Sequence, residues 1–152
     1  MLELILGPMF SGKTTALLTR GVGRTLIINH SFDTRGEGVK THDGVEMPAM
    51  KCSALPSVSG YDTVLVDEAQ FFESLEGVED LAPTVVVAGL SGDYRRKPFG
   101  KILELIPKAD KVTFLTALCD CGEPAPFTKR ISGEECLVSV ESVYKPKCGV
   151  CF

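Results

Sequence analysis

Short runs of apolar and β-branched residues alternate along most of the chain with polar segments that contain glycine. The runs at 2–6, 25–29, 63–66 and 84–88 have this character, which is typical of strands covered on both faces of a parallel sheet. Residues 111–118 predict the last strong strand. The pattern therefore predicts an α/β fold with a parallel sheet.

Few stretches have the spacing of a helix. Residues 14–18 predict a short helix after the first strand, and residues 71–81 are the candidate for a short crossover helix. Residues 102–109 are helical in pattern but are interrupted by Pro107. Residues 31–50 are polar without clear periodicity, so we expect a long loop there with some irregular strand.

Length and composition narrow the class of protein. A chain of 152 residues with 44% hydrophobic and 24% charged residues fits a folded globular protein with one main core. The apolar runs are too short to cross a bilayer, so we expect no membrane partner. The net charge of −4 argues against a general nucleic-acid binder. The first residues lack a basic region and a cleavage site, which predicts a cytoplasmic location.

The loop after the first predicted strand carries a phosphate-binding motif. Residues 7–14 read GPMFSGKT and satisfy G-x-x-x-x-G-K-[ST] between a strand and a helix. In such a phosphate loop the backbone N–H groups surround phosphate oxygens, the lysine adds charge, and the hydroxyl ligates Mg²⁺. The motif predicts nucleoside triphosphate binding, but ATPases, GTPases and small-molecule kinases all share it. The residues assigned to this site are Gly7, Pro8, Met9, Phe10, Ser11, Gly12, Lys13 and Thr14.

A pair of carboxylates follows the strand at 63–66. Asp67 and Glu68 come at its carboxyl end, where ligands bind in open α/β sheets. Asp67 fits the acidic residue on the metal side of a phosphate-loop enzyme, and Glu68 fits a general base for an acceptor hydroxyl. The alternative is a pair of solvated carboxylates at a strand end.

From residue 119 onward the chain is punctuated by cysteines. A C-x-C pair and a C-x-x-C pair, separated by a loop, suit a structural Cys₄ zinc site with no open position for water. The predicted ligands are Cys119, Cys121, Cys148 and Cys151. Cys136 is a possible substitute ligand, free structural thiols are the alternative, and Cys52 is predicted to be a small buried hydrophobe. We therefore predict a phosphate-loop domain at 1–118 and a zinc-binding C-terminal lobe at 119–152.

The ordered motifs resemble the type II thymidine kinases of animals, bacteria and large DNA viruses. The resemblance is carried by GPMFSGKT (7–14), DTR (33–35), THD (41–43), DEAQFF (67–72), GLSGDYRRKPFG (89–100), LTALC (115–119), FTKR (127–130) and the last cysteine pair. It implies nucleotide salvage by transfer of the γ-phosphoryl group of ATP to the 5′-hydroxyl of thymidine, with deoxyuridine as a further candidate acceptor. It also implies Mg²⁺, structural Zn²⁺, a P-loop NTPase-like fold with a lasso-like loop in the C-terminal lobe, and a homotetramer.

The resemblance also implies roles for individual residues. Glu68 matches the general base, Asp67 and Gln70 belong to the ATP and Mg²⁺ site, and Lys13 is a catalytic contact to phosphate. Arg96 is a candidate catalytic residue because its charge lies near the predicted site, although an Arg-Arg-Lys run is more often a solvated patch. The residues that this resemblance assigns to the nucleoside site are Asp33, Arg35, Glu68, Phe71, Leu90, Tyr94, Phe99, Phe127, Leu137, Val138, Ser139 and Tyr144.

Several of these assignments have simpler alternatives. Phe71 is an equally good core residue, and Tyr144 is a candidate anchor for its loop. The chain also departs from the family pattern, because the first cysteine pair is C-x-C where C-x-x-C is usual, and Ser139 and Val140 stand where the family often has Gly-Gly. The rival hypothesis is therefore a nucleotide-binding regulatory relative without thymidine kinase activity.

Overall fold

The computed structural model describes residues 1–31, 38–40, 46–131 and 144–152, and only the backbone is described at 38–40 and 46–47. In chain order the strands are β1 (Leu2–Gly7), β2 (Thr25–His30), β3 (Gly38–Lys40), β4 (Glu46–Pro48), β5 (Met50–Cys52), β6 (Thr63–Asp67), β7 (Thr84–Leu90), β8 (Lys111–Phe114), β9 (Ala117–Leu118), β10 (Pro124–Ala125), β11 (Phe127–Arg130) and β12 (Tyr144–Lys147). Helix α1 spans Lys13–Leu18, and 3₁₀ helices span Ala69–Phe71, Val78–Asp80 and Ile102–Lys108.

Six strands form one parallel sheet in the order β5-β2-β6-β7-β1-β8. This confirms the predicted α/β class with a parallel sheet. The edge strand β5 was missed, because Met50–Cys52 is only three residues long and includes a lysine. Strands β3 and β4 form a separate antiparallel pair within the segment that we expected to be a loop with irregular strand.

The sheet is buried on both faces because successive residues of each strand point to opposite sides. In β6, Val64 and Val66 belong to one apolar cluster, whereas Leu65 belongs to the other. Leu17 of α1 covers the second cluster, and Ile102 from a 3₁₀ helix covers the first. The continuous apolar runs in the sequence reflect this double burial.

Two predicted elements differ from the observed ones. A crossover helix at 71–81 is wrong, since this segment contains short 3₁₀ turns and Gly77 interrupts it with a φ of 76°. The predicted strand at 111–118 stops at Phe114, and Ala117–Leu118 pairs instead with Pro124–Ala125. The helical pattern at 102–109 is confirmed as the 3₁₀ helix Ile102–Lys108, but the predicted interruption at Pro107 is wrong, because Pro107 lies inside the helix.

The parallel arrangement brings the carboxyl ends of the sheet strands to one edge. The phosphate loop follows β1, Glu68 follows β6, and residues 91–100 follow β7. Strands β9 and β10 pair with each other, as do β11 and β12. Within the described residues, every helix is too short or too polar to cross a bilayer.

Candidate functional site

The phosphate loop depends on glycine at two positions for different reasons. Gly12 has a φ of 83° and no atom within 4 Å of where a Cβ would lie, so the backbone conformation itself favours glycine. Gly7 is required for space, because a Cβ there would lie 2.7 Å from the Leu115 carbonyl oxygen and 2.7 Å from Ser11 Oγ. The loop is thus closely packed against the end of β8.

Polar groups inside the loop are held by the loop itself. Lys13 Nζ donates to the Pro8 carbonyl oxygen at 2.6 Å, and Ser11 Oγ donates to the same oxygen at 2.8 Å. The Lys13 ammonium is therefore folded over the start of the loop, where its charge is available to phosphate oxygens.

A direct hydrogen bond joins the phosphate loop to the predicted acidic site. Thr14 Oγ1 donates to Asp67 Oδ2 at 2.9 Å. Asp67 is 2% exposed, and burial, followed by the nearby Glu68 carboxylate, raises the pKa of Asp67 to about 7. A hydroxyl and a carboxylate are oxygen ligands that Mg²⁺ prefers, and a cation would relieve the cost of burying this charge. The two side chains therefore fit a Mg²⁺ site.

Glu68 occupies an unusual backbone conformation beside Asp67. Its φ is 51°, in the left-handed region, and its side chain accepts a hydrogen bond from Gln70 Nε2 at 2.5 Å. Among the described residues, the other non-glycine residues with positive φ are Phe10 in the phosphate loop and Arg96 after β7. Backbone strain of this kind concentrates at functional sites, and here all three positions lie at the carboxyl-end edge.

Four aromatic residues assigned to the nucleoside site form two ring contacts. The Phe71 and Phe99 rings lie 5.7 Å apart, edge to face, and the Tyr94 and Tyr144 rings lie 6.5 Å apart. Leu90 ends β7 on the same edge. Phe71 thus contacts Phe99 and Tyr94 contacts Tyr144, and the assignment of these residues to a nucleoside site stays a prediction.

His30 is a residue of this region that the sequence did not single out. It ends β2, is 3% exposed, and its ring lies 5.9 Å from Phe71 and 4.7 Å from Phe72. Burial lowers the pKa of His30, which favours the neutral ring. Phe72 is a core residue, since it is 1% exposed. The one available signal for His30 was its place at a strand end.

Arg96 lies against the C-terminal lobe. Its guanidinium carbon lies 4.3 Å from the Phe152 ring centre and 5.3 Å from the Phe127 ring centre. Phe127 and Arg96 also line a cavity of about 260 Å³ next to Gly7 and Pro8. The structure therefore groups Phe127 with Arg96 and the start of the phosphate loop.

The four predicted zinc ligands come together despite the C-x-C spacing. The sulfur atoms of Cys119, Cys121, Cys148 and Cys151 all lie within 4.8 Å of one another. A tetrahedral zinc site with bonds of 2.3 Å has sulfur atoms about 3.8 Å apart, and Cys121 and Cys148 are separated by 3.6 Å. Backbone N–H groups of Cys121 and Cys148 lower the pKa of Cys119 to about 6, whereas hydrogen bonds with the neighbouring thiols raise the pKa of Cys151 to about 12. The thiolate form is therefore favoured at Cys119 and not at Cys151. The cluster fits zinc, whereas Cys52 is half-buried beside the main core.

The C-terminal lobe also contacts the phosphate loop through a residue that the sequence did not identify. Thr128 of β11 is 5% exposed and accepts a hydrogen bond of 3.0 Å from the Met9 N–H. Its position inside the FTKR motif was the available signal. Predicted residues outside the described ranges are Asp33, Arg35, Cys136, Leu137, Val138, Ser139 and Val140.

The chain is similar to known proteins along nearly its whole length. The family model for thymidine kinase matches residues 1–152. A thymidine kinase of Oryza sativa subsp. japonica is 41% identical over 97% of this chain and 64% of its own length. The cytosolic thymidine kinase of Homo sapiens is 37% identical over 99% of this chain and 72% of its own.

The relatives differ in how far they extend beyond this chain. A thymidine kinase of vaccinia virus (strain Ankara) is 36% identical over 99% of this chain and 96% of its own length. The rice alignment covers 176 positions, more than the 152 residues of this chain, so that relative has segments that this chain lacks. The matches nevertheless run from one end of the chain to the other and confirm the resemblance seen in its motifs. The chain therefore belongs to the thymidine kinase family.

Proposed function

We propose that the protein transfers the γ-phosphoryl group of ATP to the 5′-hydroxyl of thymidine. The observation that carries this proposal is the hydrogen bond between Thr14 and Asp67, with Glu68 as the next residue on the acceptor side. A phosphate loop, a metal-binding carboxylate and a candidate base are the groups that phosphoryl transfer needs. Family membership supports thymidine as the acceptor.

In the proposed reaction Glu68 accepts the proton as the 5′-oxygen attacks the γ-phosphorus. The oxygen–phosphorus bond to thymidine forms, the bond from the γ-phosphorus to the bridging oxygen breaks, and ADP leaves with that electron pair. Lys13 holds the β- and γ-phosphate oxygens, and Phe71 and Phe99 bound the space for the base. We retain Arg96 as a second candidate for phosphate contact.

The cofactors have separate proposed roles. Thr14 and Asp67 would hold Mg²⁺, which neutralises charge on the phosphates. The four cysteines of the C-terminal lobe would hold Zn²⁺ for structure alone, since four thiolates leave no open position. The homotetramer and the cytoplasmic location stay predictions.

The test is turnover by the purified protein with ATP and Mg²⁺, with thymidine, deoxyuridine, deoxycytidine and deoxyguanosine as parallel acceptors. We expect thymidine to be the best acceptor. Omission of Mg²⁺ is the matched control, and it is preferable to a chelator because a chelator would also attack the cysteine cluster. Turnover of a different nucleoside would overturn the specificity, and no turnover with ATP still bound would favour the regulatory relative.

A further inference from the structure

The side chain of Gln70 connects the candidate base to the end of the neighbouring strand. Gln70 is 3% exposed. Its Nε2 donates to Glu68 Oε2 at 2.5 Å, and its Oε1 accepts a hydrogen bond from the Leu90 N–H at 3.1 Å. The amide nitrogen of Gln70 therefore bonds to the candidate base, and its amide oxygen bonds to the end of β7.

The partners determine which way the amide faces. A backbone N–H only donates, so the oxygen of Gln70 must face Leu90 and the nitrogen must face Glu68. Strand β7 is an interior strand of the sheet, which makes the Leu90 N–H a firmly placed reference point. The Glu68 carboxylate is thereby tied to the sheet through a neutral donor that adds no charge of its own.

Two glycines leave room for Gln70. A Cβ at Gly89 would lie 2.9 Å from Gln70 Oε1. A Cβ at Gly100 would collide with the Gln70 carbonyl oxygen, and Gly100 has a φ of 68°. Gly89 therefore lies close to the side-chain oxygen of Gln70 and Gly100 lies close to its main chain, and both contacts limit movement of Gln70 away from Glu68.

We propose that Gln70 is a positioning residue that holds the Glu68 carboxylate in the orientation needed to accept the proton of the acceptor hydroxyl. This inference rests on the proposed function of Glu68 as the base. It differs from the role in ATP and Mg²⁺ binding that the family resemblance implies for Gln70. A displacement of about 1 Å in a catalytic group costs on the order of a hundredfold in rate, so the orientation matters.

The test compares two variants that remove different parts of this connection. Gln70→Glu keeps an oxygen for the Leu90 N–H but replaces the neutral amide donor to Glu68 by a second carboxyl group, which donates only when it is protonated. Gln70→Met removes both contacts at similar length. We expect kcat to fall on the order of a hundredfold in each variant, with the Kd for ATP and the KM for thymidine nearly unchanged. A rise in the Kd for ATP at constant kcat would overturn the proposal and would instead support the role of Gln70 as an ATP contact.

A double-mutant cycle separates positioning from a general structural role. If Gln70 acts through Glu68, Gln70→Met costs nothing further in a Glu68→Gln background. If the losses in kcat of Gln70→Met and Glu68→Gln multiply in the double variant, the proposal is overturned. Thermal unfolding of each variant identifies a folding defect, and Gln70→Glu keeps the test valid if Gln70→Met is poorly folded.

The matched control lies at the start of β6, the strand whose other end precedes Glu68. Thr63 is 1% exposed and donates from Oγ1 to the Val22 carbonyl oxygen at 2.7 Å, so Thr63→Val removes a buried hydrogen bond far from Glu68. We expect it to lower thermal stability without changing kcat. Normal kcat in both Gln70 variants, beside an active wild type, would overturn this inference alone, whereas an inactive wild type would overturn the proposed function together with it.

Discussion

The backbone N–H of Met9 donates a hydrogen bond of 3.0 Å to Thr128 Oγ1, although 119 residues separate the two along the chain. Met9 lies in the phosphate loop and Thr128 in the C-terminal lobe. The hydrogen bond therefore fixes the start of the phosphate loop to the lobe that carries the cysteine cluster, and it makes the two parts of the site interdependent.

We predict that Thr128→Val weakens ATP binding because the Met9 N–H loses its acceptor. A hydrogen bond of this type contributes about 1 kcal/mol, which corresponds to roughly a fivefold rise in the Kd for ATP. Isothermal titration calorimetry measures this Kd. Thr128→Ser keeps a hydroxyl and is expected to bind ATP almost normally, and equal affinity in all three proteins would contradict the prediction.

We predict that Glu68→Gln retains ATP binding and loses turnover. An amide has nearly the same shape but cannot accept the proton, so kcat should fall by about 10²- to 10⁴-fold. Steady-state kinetics provide kcat, and an ATP titration of the same preparation provides the Kd for ATP. Turnover close to that of the wild type would remove Glu68 from the role of base.

Loss of one sulfur ligand should remove the metal and loosen the C-terminal lobe. Cys121→Ser leaves three thiolates in the cluster, and small metal-bound lobes lose their fold when the metal is lost. We expect metal analysis to show one zinc per wild-type chain and much less in the variant, with a lower melting temperature. Cys52→Ser is the control and should keep its zinc; equal zinc content in both variants would contradict the assigned ligands.

Arg96 offers a test of whether its contacts are structural or chemical. Its guanidinium lies against Phe127 and Phe152, and such cation–π contacts contribute about 0.5 to 1 kcal/mol at exposed sites. We therefore expect Arg96→Ala to lower the free energy of unfolding by about 1 kcal/mol. If kcat instead fell by more than about a hundredfold at unchanged stability, the catalytic role predicted from the sequence would be the correct one.

Local patterns in the sequence predicted the parts of the site that are contiguous in the chain. Residues 7–14 form a phosphate loop because their glycines and lysine act within one turn, and Asp67 is the last residue of a strand that is buried on both faces. The contacts of Gln70 with Leu90 and of Met9 with Thr128 were not predictable, because they join distant segments through backbone N–H groups. A residue's own type carries no information about such a partner.

The elements that the sequence misplaced were decided by two different features, tertiary context and a local backbone conformation. Met50–Cys52 is a strand only because β2 lies beside it, and three residues are too few to show a period. Residues 71–81 form short turns because Gly77 has a φ of 76°, in the left-handed region, which a continuous helix does not allow. The buried residues Phe72, Leu75 and Val78 have a spacing that a helix would also satisfy, so the apolar pattern alone does not exclude one.

The position of β1 in the sheet has a consequence for how the chain folds during synthesis. Strand β1 lies between β7 and β8, so both of its neighbours are synthesised after it, and the second is complete only when residue 114 has appeared. Until then its apolar residues have no place in a completed sheet, and contacts this distant in sequence form slowly. The phosphate loop, which follows β1 directly, therefore reaches its final structure only after β7 and β8 have been synthesised.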